Sequence, residues 1–217
     1  MDILNYKYIY HSCFILELES YILIFDYYKN PDDKEDYLNE VFSSKKNFNK
    51  KILVFSSHSH YDHFNPEILK WSKKHCNISY ILSSDIYENN SIILKDNYFI
   101  ARENEKISFD SNIEIFSFGS TDLGVSFLVK VNNNLIFHAG DLNWWNWGDE
   151  DTEKEALEME NNFKRIISNI ENTTKKLGNI DIAFFPIDPR LGVHSKDGAD
   201  YFTQILNPKN LVPMHFE

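Results

Sequence analysis

Positively charged residues are scarce in this chain of 217 residues. Lys and Arg number 22 against 33 Asp and Glu, which gives a formal net charge of −11. Binding to a phosphate backbone requires clustered Lys and Arg, so this balance argues against a nucleic-acid partner. The acidic runs at residues 32–36 and 149–153 are interpreted as solvated loops or helix starts.

Cysteines and long apolar runs are scarce as well. The two cysteines, Cys13 and Cys76, stand on well-separated segments, which suits a reducing compartment and unpaired thiols. No apolar span of about 18 residues is present, and residues 1–8 lack the basic head and apolar core of a signal peptide. We therefore expect a cytoplasmic protein with no membrane partner. Without a linker, repeat or low-complexity tract, residues 1–217 are expected to form a single domain.

The most informative stretch follows an apolar run at residues 52–56. His58, His60, Asp62 and His63 come directly after it, with the spacing His-x-His-x-Asp-His. Alternate residues of an extended segment share a face, so His58 and His60 point the same way. Imidazoles and carboxylates bind divalent metals. The stretch therefore predicts a metal site at the carboxyl end of a buried strand, where open α/β sheets place their sites.

Apolar periodicity predicts the other elements. Strands are expected over residues 6–28, with a tight connection at 19–20, and then at 78–82, 98–100, 113–118, 125–131, 135–137, 181–185 and 211–212. Helices are expected at 67–75, 151–177 and 195–206. Strand runs followed by helix, strand, helix and strand indicate two sheets packed face to face with helices outside.

Four motifs, in their order along the chain, resemble the metallo-β-lactamase superfamily of metal-dependent hydrolases, and most of all its small stand-alone, lactonase-like members. They are the signature, the segment at 119–124, His138-Ala-Gly-Asp141 and Pro213-Met-His215. The resemblance covers nearly the whole chain. It implies an α+β fold, a four-layer αββα sandwich in which two packed mixed sheets have helices outside.

The resemblance also implies a set of ligands. His58 and His60 would hold one metal, Asp62, His63 and His215 would hold a second, and Asp141 would bridge the two. From the residues alone, Asp141 can instead be a turn residue and His215 a surface residue. The implied cofactors are two divalent ions, with zinc expected first. The implied reaction is hydrolysis of a small ester, lactone or phosphoester by a bridging hydroxide, with catalytic Asp62 orienting or deprotonating the attacking water.

One ligand position departs from the family's pattern. Relatives have a His in the loop that here holds Asp122, and no His occurs between His75 and His138. Asp122 can bind the metal directly, it can serve only as a turn residue, or His138 can replace it. We expect the first, because a carboxylate is a competent ligand, and it would let manganese or iron compete with zinc. His138 is then expected to support the ligands.

Other side chains are candidates for substrate binding or for support of the ligands: His11, Trp144 with its neighbours Trp145 and Trp147, Arg190 and His194. His11 lies in the opening hairpin, where it can approach the metals or be purely structural. The three tryptophans can form an apolar wall for the substrate or a plug beneath their loop. Arg190 and His194 can bind an anionic substrate group or cap the next helix.

Two alternatives to a hydrolase of a small molecule follow from the same fold. One is a metal-binding protein without turnover, and the other is a di-iron redox protein. The second is disfavoured because di-iron members of the family have a His-x-Glu-x-Asp arrangement and use a flavin partner domain, and this sequence contains neither. The sequence leaves the oligomeric state open.

Overall fold

The computed structural model of the chain describes residues 5–30, 37–73, 75–90 and 92–216. The chain divides into two compact units, an N-terminal unit up to residue 100 and a C-terminal unit from residue 101. The expectation of a single domain stays a prediction. The acidic run at 32–36 lies outside the described residues.

The N-terminal unit contains a six-stranded mixed sheet. Its strands are β1 (Tyr6–Tyr10), β2 (Cys13–Glu17), β3 (Tyr21–Phe25), β4 (Lys51–Ser56), β5 (Ile78–Ser83) and β6 (Tyr98–Ala101). They follow the chain order across the sheet, antiparallel from β1 to β3 and parallel from β3 to β5. Two short helices, α1 (Tyr37–Ser43) and α2 (Ser84–Asn90), and a 3₁₀ helix at Pro66–Lys73 connect the strands.

Strands β3 and β4 lie at the centre of the N-terminal core. β3 is buried at every position, and β4 is buried at every position after Lys51. Parallel strands that are covered on both faces carry continuous apolar runs, which accounts for the sequence of both strands. Phe25 and Phe55 are paired in register. Asp26, directly after β3, and Ser57, directly after β4, therefore leave the sheet at the same edge.

The helix predicted after the signature is present in the 3₁₀ form. The Tyr80 hydroxyl donates to the Ile68 carbonyl at 2.7 Å and accepts the Ser72 N–H at 3.1 Å. In an α-helix the Ser72 N–H would bond directly to the Ile68 carbonyl. The inserted hydroxyl replaces that bond, and such an insertion distorts a helix locally.

The C-terminal unit contains a second six-stranded mixed sheet. Its strands are β7 (Glu105–Ser108), β8 (Ile113–Gly119), β9 (Val125–Val131), β10 (Asn134–His138), β11 (Ile182–Pro186) and β12 (Leu211–Met214). They are antiparallel from β7 to β10 and parallel from β10 to β12. Helices α3 (Glu153–Leu177) and α4 (Asp197–Leu206) pack against each other, α3 also against β8 and α4 against β11.

Helix α3 begins and packs as its sequence predicts. Thr152 and Glu155 form a capping box, in which each side chain accepts the backbone N–H of the other residue. Its apolar stripe is buried at Phe163, Ile166, Ile167 and Ile170. Among the described residues no helix is long and apolar enough to cross a membrane.

The predicted fold class, α+β with two mixed sheets, is confirmed. Of the α-helices and strands in the described residues, α1, α2 and β7 were not predicted. Strand β7 lies at the edge of its sheet and is mostly exposed, so its sequence Glu-Lys-Ile-Ser has one apolar residue and no alternation. Helices α1 and α2 have seven residues each, too few to repeat an apolar pattern over several turns.

Candidate metal centre

A buried carboxylate holds the signature histidines in the N-terminal unit. Asp26 directly follows β3, and its side chain is fully buried. Its Oδ1 accepts the Ser57 N–H at 2.7 Å, and its Oδ2 accepts the Ser57 hydroxyl at 2.7 Å. The same Oδ2 lies 2.8 Å from His63 Nδ1. Because a carboxylate accepts hydrogen bonds, we assign the proton to Nδ1 of His63, which then donates to Asp26.

Ser57 extends this arrangement to His58. The Ser57 hydroxyl gives its proton to Asp26, so its oxygen accepts from His58 Nδ1 at 2.9 Å. Both His58 and His63 therefore present a basic Nε2. Metal-binding histidines are commonly oriented in this way by a carboxylate or another acceptor at the second ring nitrogen.

Asp26 and Ser57 were not predicted as site residues. The sequence did carry a signal for Asp26, which follows the apolar run at 21–25 just as the signature follows the run at 52–56. Because these two runs form adjacent parallel strands, their carboxyl ends meet at one edge of the sheet. That pairing is visible only in the fold.

The remaining predicted site residues of this unit lie close to these two histidines. His58 Nε2 is 3.0 Å from His60 Nδ1, and His11 Nε2 is 3.5 Å from Asp62 Oδ2. Ligand atoms of His11, Asp62 and His63 lie within 4.8 Å of one another. The opening hairpin therefore brings His11 to the signature residues.

Asp141 and His215 come together in the C-terminal unit, after the ends of β10 and β12. His215 Nε2 lies 3.4 Å from Asp141 Oδ1, and both residues are buried. His215 Nδ1 lies 3.1 Å from Oδ2 of Asp188, which is 1% exposed and was not predicted as a site residue. His215 thus donates from Nδ1 to a buried carboxylate, as His63 does in the other unit.

Asp122 and His138, the two residues considered for the ligand position that differs from the family's pattern, have different surroundings. Asp122 is exposed in the turn between β8 and β9, and a carboxylate oxygen of it lies within 4.8 Å of one of Asp141. His138 is fully buried at the end of β10, and its Nδ1 accepts the Gly140 N–H at 3.2 Å. Asp122 is therefore the neighbour of the Asp141 carboxylate, whereas His138 braces the turn that carries Asp141.

The three tryptophans after Asp141 separate into two groups. Trp144 packs against α3, with its ring centroid 6.1 Å from that of Phe163. Trp145 is edge-on to His215, with the ring centroids 5.6 Å apart. Trp147 stacks on Trp145 and is partly exposed. An apolar surface beside His215 is thus formed by Trp145 and Trp147.

Arg190 and His194 each contact an acidic residue of their own loop and helix. The Arg190 side chain donates to both oxygens of Asp188 from Nε, and also from Nη2. His194 Nδ1 lies 2.8 Å from Asp197 Oδ2, at the start of α4, and 3.1 Å from Asn146 Nδ2. Both side chains are therefore oriented by neighbours within the C-terminal unit.

Neither family models nor curated protein sequences match this chain, whereas solved structures do. YhfI of Bacillus subtilis, a metallo-β-lactamase fold protein, matches with a TM-score of 0.56 and 12% identity, over 95% of this chain and 78% of YhfI. This chain has the metallo-β-lactamase fold. The fold implied by the resemblance is thereby confirmed.

Two further proteins are similar in fold to this metallo-β-lactamase-like chain. Igni18, a metallo hydrolase from Ignicoccus hospitalis, matches with a TM-score of 0.66 and 18% identity, over 98% of this chain and 82% of Igni18. CmlA, a diiron β-hydroxylase from Streptomyces venezuelae, matches with a TM-score of 0.54 and 11% identity, over 96% of this chain and 44% of CmlA.

The metallo-β-lactamase fold implies divalent metals, and the side chains present fit such ions. With metal–nitrogen distances of about 2.0–2.1 Å, two ligand atoms on one tetrahedral ion lie about 3.3 Å apart. Three pairs within the units have similar spacing: His58 with His60 at 3.0 Å, His11 with Asp62 at 3.5 Å, and His215 with Asp141 at 3.4 Å. Both cysteines are free. Burial, together with the Asp26 charge, raises the pKa of the Cys13 thiol and so disfavours the thiolate that a metal would bind. The candidate ligand atoms are therefore imidazole nitrogens and carboxylate oxygens.

Proposed function

We propose that this protein is a metal-dependent hydrolase that uses two divalent ions to cleave a small ester, lactone or phosphoester. The Asp26 network carries the proposal, because it holds His63, and through Ser57 also His58, with a basic Nε2. Igni18, which is similar in fold, is described as a metallo hydrolase, and this supports the same reaction class.

Asp62 is proposed as the catalytic base. Its side chain is 27% exposed, so water reaches it, and His11 at 3.5 Å orients the carboxylate. A carboxylate in this position accepts a proton from the attacking water and can return it to the leaving group. When bound, the divalent ions would lower the pKa of that water and polarise the carbonyl or phosphoryl oxygen of the substrate.

Zinc is the proposed metal, since the donors of the N-terminal unit are mainly imidazoles. Asp122 beside Asp141 supports competition by manganese or iron, because carboxylates are harder ligands. The second candidate function is oxygen chemistry at a di-iron site. It is favoured by one observation, the similarity in fold to CmlA.

The partner is proposed to be a small molecule, and neither nucleic acid nor a membrane is expected. The net charge of −11 supports the first exclusion. A cytoplasmic location is proposed because the two cysteines are free, as in a reducing compartment.

Elemental analysis of the purified protein, followed by a panel of phosphodiester, ester and lactone substrates at neutral pH, tests the proposal. We expect about two equivalents of metal and hydrolysis of one substrate class. His63→Ala should lose metal and hydrolysis, while His75→Ala should keep both, because the His75 ring stacks on Phe42 instead. Metal binding without hydrolysis would favour a binding protein, and iron with oxygen consumption would favour the redox alternative.

A further inference from the structure

Arg190 is one of the residues for which the sequence left two roles open, an anion-binding residue or a helix cap. Its guanidinium donates to both carboxylate oxygens of Asp188, at 3.0 Å and 2.9 Å from Nε and at 2.5 Å from Nη2. Its backbone N–H also donates to Asp188 Oδ1 at 2.9 Å. One edge of the guanidinium is therefore occupied by an internal carboxylate.

Asp188 joins Arg190 to His215. The Asp188 side chain is 2% exposed, and its Oδ2 receives hydrogen bonds from Arg190 on one side and from His215 Nδ1, at 3.1 Å, on the other. A buried carboxylate that serves two donors must keep one orientation to satisfy both. Its orientation determines which nitrogen of His215 carries the proton and where the other nitrogen points.

We propose that Arg190 is a positioning residue for the metal ligand His215 and that it acts through Asp188. The proposal rests on the proposed function, with His215 taken as a ligand of one of the two ions, the role that the resemblance implies for it, and with Nε2 as its ligand atom. The bidentate contact of Arg190 holds the Asp188 carboxylate in the orientation that accepts the His215 Nδ1–H.

A second set of contacts links the same two residues. The Arg190 guanidinium lies over the Trp147 ring, 5.8 Å from its centroid. Trp147 stacks on Trp145, and Trp145 packs edge-on against His215. Arg190 therefore contacts both the hydrogen-bonded and the aromatic neighbours of His215, which explains why a largely exposed side chain can affect a buried ligand.

Titration of the metal-free protein with Co²⁺ alone, followed by the visible absorption of the bound ion, tests the proposal without any substrate. Asp188→Asn should weaken Co²⁺ affinity about 10- to 100-fold, the range found for residues that orient ligands. Arg190→Gln should weaken it by about tenfold, at the lower end of that range, and change the absorption spectrum. Arg190→Lys should resemble Arg190→Gln, since lysine keeps the charge but not the fork.

Arg165→Gln is the matched control, because Arg165 is exposed on α3 and pairs with Glu103. It removes one positive charge from the same unit and should leave Co²⁺ affinity and spectrum unchanged. The double variant Arg190→Gln/Asp188→Asn should bind Co²⁺ no more weakly than Asp188→Asn, since residues in one network are not additive.

Wild-type affinity and spectrum in Arg190→Gln would overturn the inference. If that variant instead raised only the KM for anionic esters, Arg190 would be a substrate-binding residue. A wild-type protein that bound no Co²⁺ would reject the proposed function itself, so the two failures are distinguishable. If Asp188→Asn does not fold, the exposed Arg190 variants decide the matter.

Discussion

Three residues of the candidate site, Asp26, His11 and His215, have positive φ angles of 44°, 53° and 64°. Such angles are uncommon outside glycine, and each costs about 1–3 kcal/mol, which the surrounding structure must offset. Asp26 directly follows the buried strand β3, His215 directly follows β12, and His11 lies in the turn between β1 and β2. In this conformation the chain turns sharply at the strand end, and strain of this kind concentrates at functional sites.

The Asp26 network gives the first prediction. Asp26→Asn replaces one acceptor oxygen by a donor, so His63 and Ser57 can no longer both be satisfied. We expect metal affinity to fall about 10- to 100-fold and the free energy of unfolding to fall by about 1–3 kcal/mol. Competition with a chelator and chemical denaturation measure the two quantities.

Asp181→Asn is the control for this prediction. Asp181 also accepts a backbone N–H, that of Leu135, and pairs with Lys209. The Asp181→Asn variant should be less stable than the wild type but should bind metal with the same affinity. If Asp26→Asn bound metal as tightly as the wild type, Asp26 would have no part in orienting the histidines.

Asp122 gives the second prediction. Replacing its carboxylate by imidazole makes the ligand set softer, so Asp122→His should shift the preference from manganese and iron toward zinc. Asp122→Ala should leave about one equivalent of metal instead of two. Metal stoichiometry and competition in the three proteins provide the measurement, with the exposed Asp96→His as control. If all three proteins bound two equivalents of metal with the same metal preference, Asp122 would be only a turn residue.

At the scale of the element, α4 and the loop after β10 approach each other at a glycine. A Cβ on Gly198 would lie 2.1 Å from Asn143 Oδ1 and 2.9 Å from the Trp144 backbone nitrogen. These distances are shorter than any van der Waals contact. Asn143 comes two residues after Asp141, so the first turn of α4 sets the position of the loop that carries this proposed ligand.

Gly198→Ala should therefore move the loop or the helix. We expect a loss of stability of about 1–3 kcal/mol, as for other overpacked sites, together with weaker metal binding. Gly178→Ala is the matched control, because Gly178 has a φ of 112° and no atom near its missing Cβ. It should cost stability through backbone strain alone. Unchanged metal binding in Gly198→Ala would show that the loop tolerates the displacement.

At the scale of the whole molecule, metal binding and folding are linked. An ion that binds the folded chain and not the unfolded one stabilises it by about 2.7 kcal/mol when present at a hundred times its Kd. For a chain of this length that corresponds to a rise in Tm of roughly 5–10 °C. Calorimetry with zinc and with EDTA measures the rise. The rise in Tm should be smaller in His63→Ala than in the wild type. An equal rise in the two proteins would show that the stabilising metal binds elsewhere.

Local patterns in the sequence predicted the strands other than β7, the long helix α3 and the signature proposed to bind metal. Apolar periodicity reports which residues face a core, and the spacing of His58, His60, Asp62 and His63 is a property of one short segment, so neither depends on distant contacts. The resemblance to the metallo-β-lactamase superfamily rested on such segments and was confirmed as to fold.

Only the tertiary structure decided which polar side chains meet. Asp26 precedes His63 by 37 residues, and Asp188 precedes His215 by 27, so no local pattern connects either pair. Each pair forms because parallel strands end at the same edge of a sheet, where a carboxylate after one strand reaches an imidazole after its neighbour. Likewise, the hydroxyl that inserts between Ile68 and Ser72 in the 3₁₀ helix at Pro66–Lys73 belongs to Tyr80 on the next strand, which periodicity within the helix cannot reveal.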